Sequence, residues 1–207
     1  MFELFSPNML KTYELCPKKF YFKYDKKILM PTNDEVFELG KNIHAIASYY
    51  LRKENIDKME KSLDEREQLI WNYLKGIKYF SFDTVKTEYN LTVKVGDFCF
   101  GGRLDALMKN GDEYYILDYK TGSVPNNAKY DYQTMIYLLA VKEFFKPENV
   151  CFVYLDLKNK SEVVINLTDE LIEEYSQKLI DMAEKINKQL YPQNKNCNCE
   201  YSIICYH

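Results

Sequence analysis

The feature of this sequence that most constrains its fold is a pair of strand-like segments on either side of Asn110-Gly111. Asparagine followed by glycine is a strong signal for a two-residue β-hairpin turn, because both residues tolerate positive φ angles. The segment before the turn, 101–107, alternates between faces, and the segment after it, 114–120, is largely apolar and aromatic. We therefore expect two antiparallel strands, the second of them central and buried.

Two aspartates and a lysine lie in these largely apolar strands. Asp105 lies in the first strand, and Asp118 and Lys120 share one face of the second. Buried charges are costly unless they are paired or bind a metal ion. Carboxylate oxygens suit Mg²⁺ or Mn²⁺, and a nearby lysine can orient an attacking water or neutralise a developing oxyanion. A metal site and an ordinary buried Asp–Lys ion pair both fit this pattern taken alone.

Two motifs carry a resemblance to a known family. Gly102-Arg103-Leu104-Asp105 and Leu117-Asp118-Tyr119-Lys120-Thr121-Gly122 resemble motifs II and III of the PD-(D/E)xK nuclease superfamily. The most similar branch is the RecB/AddB-like iron–sulfur nucleases, to which the CRISPR-adaptation nuclease also belongs. The resemblance implies an α/β fold of the restriction-endonuclease type, with a mixed central sheet flanked by helices.

The resemblance also implies how the chain is divided. A single nuclease domain is expected over 1–207. Within it we expect an N-terminal helical lobe at about 1–80, an α/β core at about 84–190, and a C-terminal cysteine tail at 191–207 that acts together with Cys16.

The same resemblance assigns roles around the two strands. A helix expected over about 33–55 carries Gly40 and His44. In the family, glycine followed four residues later by histidine marks the helix that sends a ligand to the metal. The implied Mg²⁺ or Mn²⁺ ligands are His44, Asp105, Asp118 and the backbone carbonyl of Tyr119. The implied catalytic residues are Asp105, Asp118 and Lys120, with the lysine assisting the attacking water.

A further acidic residue lies in a strand expected over 86–95, where polar and apolar residues alternate. Glu88 resembles the acidic residue on the first core strand of the superfamily and is a candidate catalytic residue. An ordinary exposed strand glutamate would give the same pattern, so both interpretations remain open for Glu88.

A nucleic-acid site in this chain has to be local, because the net charge is −3 and the pI is about 5.6. The segment 16–24 interleaves lysines with aromatic residues, as proteins that contact phosphates and stack on bases do. Its candidate DNA-binding residues are Lys18, Lys19 and Lys23. An amphipathic helix with inward-facing aromatics is the alternative.

A second DNA-binding candidate lies on the helix expected over about 126–145. Gln133 and Tyr137 are one helical turn apart and match the glutamine–tyrosine motif that follows the lysine motif in RecB-like nucleases. The resemblance implies that they position DNA. A half-buried helix face is the alternative for this pair.

The chain has six cysteines, of which three cluster in the tail at Cys197, Cys199 and Cys205. Cysteine clusters outside secreted proteins favour metal binding. In the resembled family, a cysteine before the basic–aromatic segment, here Cys16, joins three near the C-terminus around a 4Fe–4S cluster. The Cys197-x-Cys199 spacing is shorter than the common one, so structural zinc is the alternative. Cys99 and Cys151 lie in apolar strands and are expected in the core.

These features together predict a metal-dependent DNA nuclease, acting as an exonuclease on single-stranded ends in recombination, repair or CRISPR adaptation. The alternative is a non-catalytic iron–sulfur module that binds DNA within a larger helicase–nuclease complex. The sequence has no phosphate-binding loop of the G-x-x-x-x-G-K-[ST] type, so we expect no helicase motor in this chain. Either the protein works alone, or its partner is a helicase or a CRISPR integration protein. It has neither an 18-residue apolar run nor a basic segment at Met1, so we expect a cytoplasmic protein without a membrane span.

Overall fold

The computed structural model describes residues 2–30, 35–194 and 199–205. Eight α-helices are found in these ranges: α1 Pro7–Leu15, α2 Pro17–Phe20, α3 Glu35–Leu51, α4 Asp57–Ser62, α5 Glu65–Lys75, α6 Tyr132–Phe145, α7 Asp169–Asn187 and α8 Ser202–Cys205. A π-helical segment follows α2 at Tyr21–Asp25, and short 3-10 helices span Lys78–Ser81 and Ala128–Tyr130. None of the helices in the described ranges is long and apolar enough to cross a membrane.

Five strands form one sheet in the order in which they occur in the chain. They are β1 Asp83–Val95, β2 Phe98–Asn110, β3 Glu113–Lys120, β4 Asn149–Asp156 and β5 Ser161–Asn166. Neighbouring strands are antiparallel except β3 and β4, which are parallel and are connected through α6. The predicted mixed sheet flanked by helices is confirmed.

Each face of the sheet has its own hydrophobic core, because alternate residues of the central strands point in opposite directions. Leu107 and Ile116 face the larger core, which α1, α6 and α7 complete. Ala106 and Leu117 face the smaller core, which α3 and α5 complete. The helices of residues 1–80, which were expected to form one lobe, therefore pack on both faces of the sheet.

The hairpin between β2 and β3 is the element that positions the site. Asn110 pairs with Glu113, so the turn residues are Gly111 and Asp112, one position later than the sequence predicted. Gly111 has a φ angle of +60°, which glycine adopts without strain. Pairing between the two strands ends at Ala106 and Leu117, so beyond this point β2 and β3 separate.

Candidate active site

The separation of β2 from β3 leaves the backbone of Tyr119 without a strand partner on that side. Two side chains take the place of the missing strand. The Tyr119 N–H donates to Asp105 Oδ2 at 2.9 Å, and the Tyr119 carbonyl accepts a hydrogen bond from His44 Nε2 at 2.9 Å. Because unpaired buried backbone groups are costly, this arrangement fixes both side chains beside the strand.

A second acidic side chain, that of Glu88, joins this pair. His44 Nδ1 lies 3.2 Å from Asp105 Oδ1 and 4.0 Å from Glu88 Oε1. One potential ligand atom from each of these three residues lies within 4.8 Å of the other two. Glu88 reaches this position with a φ angle of +47°, a value uncommon outside glycine and characteristic of constrained functional sites.

The charges in this cluster shift one another's protonation. Burial lowers the pKa of His44, but the hydrogen bonds to Asp105 and the Tyr119 carbonyl and the charge of Asp118 outweigh it and raise that pKa to about 9. Burial raises the pKa of Glu88, opposed by the charge of Arg103. His44 and Glu88 therefore both bind protons more readily than isolated groups would.

Asp118 completes the site from the other face of the sheet. It is 3% exposed, and burial together with the charge of Asp105 raises its pKa to about 6 against the opposing effect of Lys120. Lys120 Nζ forms an ion pair with Asp118 Oδ2 at 2.7 Å. The Gln133 side-chain amide donates to Asp118 Oδ1 and accepts from Lys120 Nζ at 3.3 Å.

The donor set fits a divalent cation. Asp118 Oδ2 is buried and makes no hydrogen bond of suitable geometry to any described residue, so its ion pair with Lys120 leaves coordination capacity unused. Carboxylate and carbonyl oxygens are the preferred ligands of Mg²⁺ and Mn²⁺, and an imidazole favours Mn²⁺. The residues that fit such an ion are His44, Glu88, Asp105, Asp118 and the carbonyl of Tyr119.

The sequence matches the family model of the PD-(D/E)XK nuclease superfamily over residues 4–81 and 68–206. The chain belongs to this superfamily. We therefore take the carboxylates and the lysine on β2 and β3 as the candidate catalytic site of a nuclease. The predictions of the family and of a nuclease enzyme class are confirmed.

Individual proteins are also similar to this chain in sequence or in fold. The chain is 21% identical over 204 residues to the CRISPR-associated exonuclease Cas4 of Francisella tularensis subsp. novicida, covering 96% of this chain and 91% of the relative. A solved putative exonuclease from Eubacterium rectale has the same fold, with a TM-score of 0.62 and 12% identity over 95% of this chain and 86% of the other. The solved structure of SSO0001 gives a TM-score of 0.51 and 21% identity, covering 99% of this chain and 86% of the other.

In this nuclease, the glutamine–tyrosine pair of α6 faces inward. Gln133 contacts Asp118 and Lys120, so it holds the candidate catalytic groups rather than reaching outward. Tyr137 is buried, and its hydroxyl donates to the Arg103 carbonyl at 2.9 Å. Tyr137 therefore packs within the fold, and the DNA contact predicted for it stays a prediction.

The lysines of the basic–aromatic segment lie against their own chain. Lys19 pairs with Glu200 at 2.9 Å. Lys18 lies over the rings of Tyr21 and Phe22, and Lys23 lies over Tyr24. Their role in DNA binding stays a prediction.

The described part of the tail packs on the segment that contains Cys16. Tyr201 stacks on Phe22 at 5.7 Å and donates to the Ile28 carbonyl at 2.8 Å. Cys16 is buried, and its sulfur accepts the Lys19 N–H at 3.4 Å. Cys199 and Cys205 are half-buried, and Cys197 lies outside the described residues.

The other two cysteines differ from each other. Cys151 is buried as predicted, whereas the prediction for Cys99 was wrong, because its side chain is exposed, although its carbonyl accepts the Phe5 N–H at 2.9 Å. Sequence reasoning also missed Arg103, whose Nε lies 3.0 Å from Glu88 Oε2. Strand alternation, which puts Arg103 on the face of Asp105, was the signal that could have found it.

Proposed function

We propose that this nuclease hydrolyses phosphodiester bonds of DNA with a divalent metal ion held by His44, Glu88, Asp105, Asp118 and the Tyr119 carbonyl. The observation that carries the proposal is the meeting of the histidine–carboxylate cluster with the Asp118–Lys120 pair at the point where β2 and β3 separate. A non-catalytic DNA-binding module would need none of these charges at such a costly position.

Each residue of the site has its own proposed role in the reaction. A bound divalent cation supplies electrostatic stabilisation of negative charge developing on the scissile phosphate. Lys120 is partly exposed, with its ammonium beside Asp118, so it can orient the attacking water and stabilise an oxyanion. Gln133 fixes the positions of both by its two amide contacts. Asp105 and His44 hold the backbone of Tyr119 and so keep its carbonyl in the site.

The substrate proposed is single-stranded DNA, cleaved as an exonuclease from an end, in recombination, repair or CRISPR adaptation. The similarity to a CRISPR-associated exonuclease supports this choice of substrate and pathway. The proposed partners are a helicase or a CRISPR integration protein, and the proposed location is the cytoplasm.

The test is cleavage of end-labelled single-stranded DNA by the purified full chain. Cleavage is expected with Mn²⁺ or Mg²⁺ and not in EDTA. Asp118→Asn and Lys120→Ala should each lose it, whereas Lys94→Ala, which removes an exposed lysine from β1, should retain it. Folded protein that binds DNA but cleaves no substrate with either metal would favour the non-catalytic module.

We also propose that Cys16, Cys197, Cys199 and Cys205 bind a 4Fe–4S cluster that joins the tail to the N-terminal segment. Support comes from the contacts of Glu200 with Lys19 and of Tyr201 with Phe22 and Ile28, which join the segment that carries Cys199 to the segment that carries Cys16. A thiolate set of this kind binds iron–sulfur clusters or zinc.

The cluster is tested by colour and metal content. Anaerobically prepared protein should be brown, with about four iron atoms per chain as expected for this cluster type. Cys16→Ala should bleach it and lower the melting temperature, because metal binding is coupled to folding. Cys151→Ala should keep the colour. Colourless protein with stoichiometric zinc would establish the zinc alternative.

A further inference from the structure

A cavity of about 680 Å³ opens beside the active site on the α3 side of the sheet. Two of its lining residues, His44 and Glu88, belong to the proposed metal cluster. The rest of its wall comes from α3 and from Arg103 on β2, including Gly40, Lys41, Ala45, Ser48, Tyr49 and Arg52. A ligand bound here would lie directly next to the scissile phosphate.

The charge of this wall differs from that of the whole chain. Lys41, Arg52 and Arg103 all line the cavity, although the net charge of the chain is −3. The Arg103 side chain is 64% exposed, and only its Nε faces Glu88. Arg52 directs Nε to Glu54 and Nη1 to Ser48. Since a guanidinium has about five N–H donors, each arginine can contact a phosphate while it keeps these partners.

An aromatic ring accompanies the cations. Tyr49 lines the cavity, is 40% exposed, and has the Arg52 guanidinium 4.5 Å from its ring centre. Exposed aromatic rings flanked by cations bind single-stranded nucleic acids, because an unpaired base can stack on them while the cations contact the backbone. A base inside a duplex already stacks on its neighbours and cannot use such a ring without being extruded.

We propose that this cavity binds the nucleotides of a single DNA strand that flank the scissile phosphate. A base stacks on Tyr49, and Lys41, Arg52 and Arg103 contact the neighbouring phosphates. The volume falls within the range of sites that enclose small ligands, which suits one or two nucleotides of a strand and not a duplex. The proposal rests on the proposed nuclease function and adds to it the place at which the single strand binds.

The first experiment measures binding, by fluorescence anisotropy of a labelled single-stranded oligonucleotide in EDTA, so that cleavage does not enter. Lys41→Gln combined with Arg52→Gln should weaken binding about tenfold and lower the salt slope by about one unit for each lost phosphate contact. The control combines Lys58→Gln with Arg66→Gln, two exposed cations of α4 and α5 outside the cavity, and should bind as the unchanged protein does.

The second experiment separates stacking from charge. Tyr49→Ala should weaken binding of the single strand roughly tenfold without changing the salt slope, whereas Tyr49→Trp should retain binding. Competition with a blunt duplex of the same sequence should be weak. Equal binding by the two cavity variants and the unchanged protein, or a preference for duplex, would overturn the proposal.

The outcomes distinguish this proposal from the nuclease function. If the unchanged protein cleaves DNA while the cavity variants bind and cleave as it does, the proposed strand site is wrong and the nuclease stands. If the cavity variants lose binding while the unchanged protein cleaves nothing, the strand site stands and the catalytic proposal fails.

Discussion

On the α6 face of the sheet, the carboxylate of the site is buried and is held by an ion pair and an amide, whereas on the α3 face the ionisable side chains are partly exposed and border a cavity. Asp118 is 3% exposed and is held by Lys120 and Gln133. On the other side, the His44 and Glu88 side chains are 30% and 23% exposed. The buried Asp118 on the α6 face is expected to need Lys120 for the stability of the fold, whereas the exposed Arg103 on the α3 face can change with little effect on folding.

The largest expected effect tests this contrast directly. Lys120→Met leaves the buried Asp118 without its cation and should lower the unfolding free energy of the metal-free protein by about 3 kcal/mol. Arg103→Met removes the cation of the partly exposed Glu88 and should cost less than about 1 kcal/mol. Urea unfolding measures both. Equal losses of unfolding free energy in the two variants would mean that the ion pairs on the two faces contribute equally to stability.

A second, smaller effect concerns packing on the α6 face. A Cβ atom on Gly102 would lie 2.5 Å from the Tyr137 hydroxyl, so Gly102→Ala should cost about 2 kcal/mol by overpacking. Gly122→Ala is the matched control, since a Cβ atom there would meet no atom within 4 Å and the φ angle of Gly122 is not positive. Adding Tyr137→Phe to Gly102→Ala should recover part of the loss. No recovery in thermal or urea unfolding would show that the strain lies elsewhere.

The smallest effect concerns Gln133. Gln133→Met should reduce kcat about tenfold, equivalent to about 1.4 kcal/mol, because Lys120 and Asp118 lose the amide that positions them. KM and the salt dependence of DNA binding should stay unchanged. A change confined to KM would instead assign Gln133 to the substrate, as the sequence pattern indicates. Thr134→Ala is unsuitable as a control, since its hydroxyl is itself buried and bonded to Ala128 and Tyr154.

The features that the sequence predicted well are those carried by short-range patterns. The hairpin followed from Asn110-Gly111 and the alternation around it, and the position of Asp118 and Lys120 on one strand face followed from their spacing. The role of Glu88 stayed open, because its positive φ angle interrupts the regular alternation that is assumed for a strand when only the sequence is known.

The features that the sequence predicted poorly depend on partners far along the chain. Tyr137 is buried because Gly102, with no side chain, leaves room for its ring, and because the Arg103 carbonyl accepts its hydroxyl. Neither neighbour can be identified from α6 alone. Cys99 is exposed because it points to the face opposite Phe100, which packs on Phe5 in the larger core, and Phe5 is far away in the sequence.

The packing of the tail on the N-terminal segment has a consequence for the order in which the chain folds during synthesis. Tyr13 donates to the carbonyls of Lys185 and Leu190, and Tyr201 donates to the carbonyl of Ile28, so these contacts join residues more than 170 positions apart. The contact of Tyr201 can form only after residue 201 has left the ribosome. Contacts of such high sequence separation slow folding, because the loop must close before they form. The sheet can therefore assemble during synthesis, while the segment around Cys16 must wait for the last residues of the described chain.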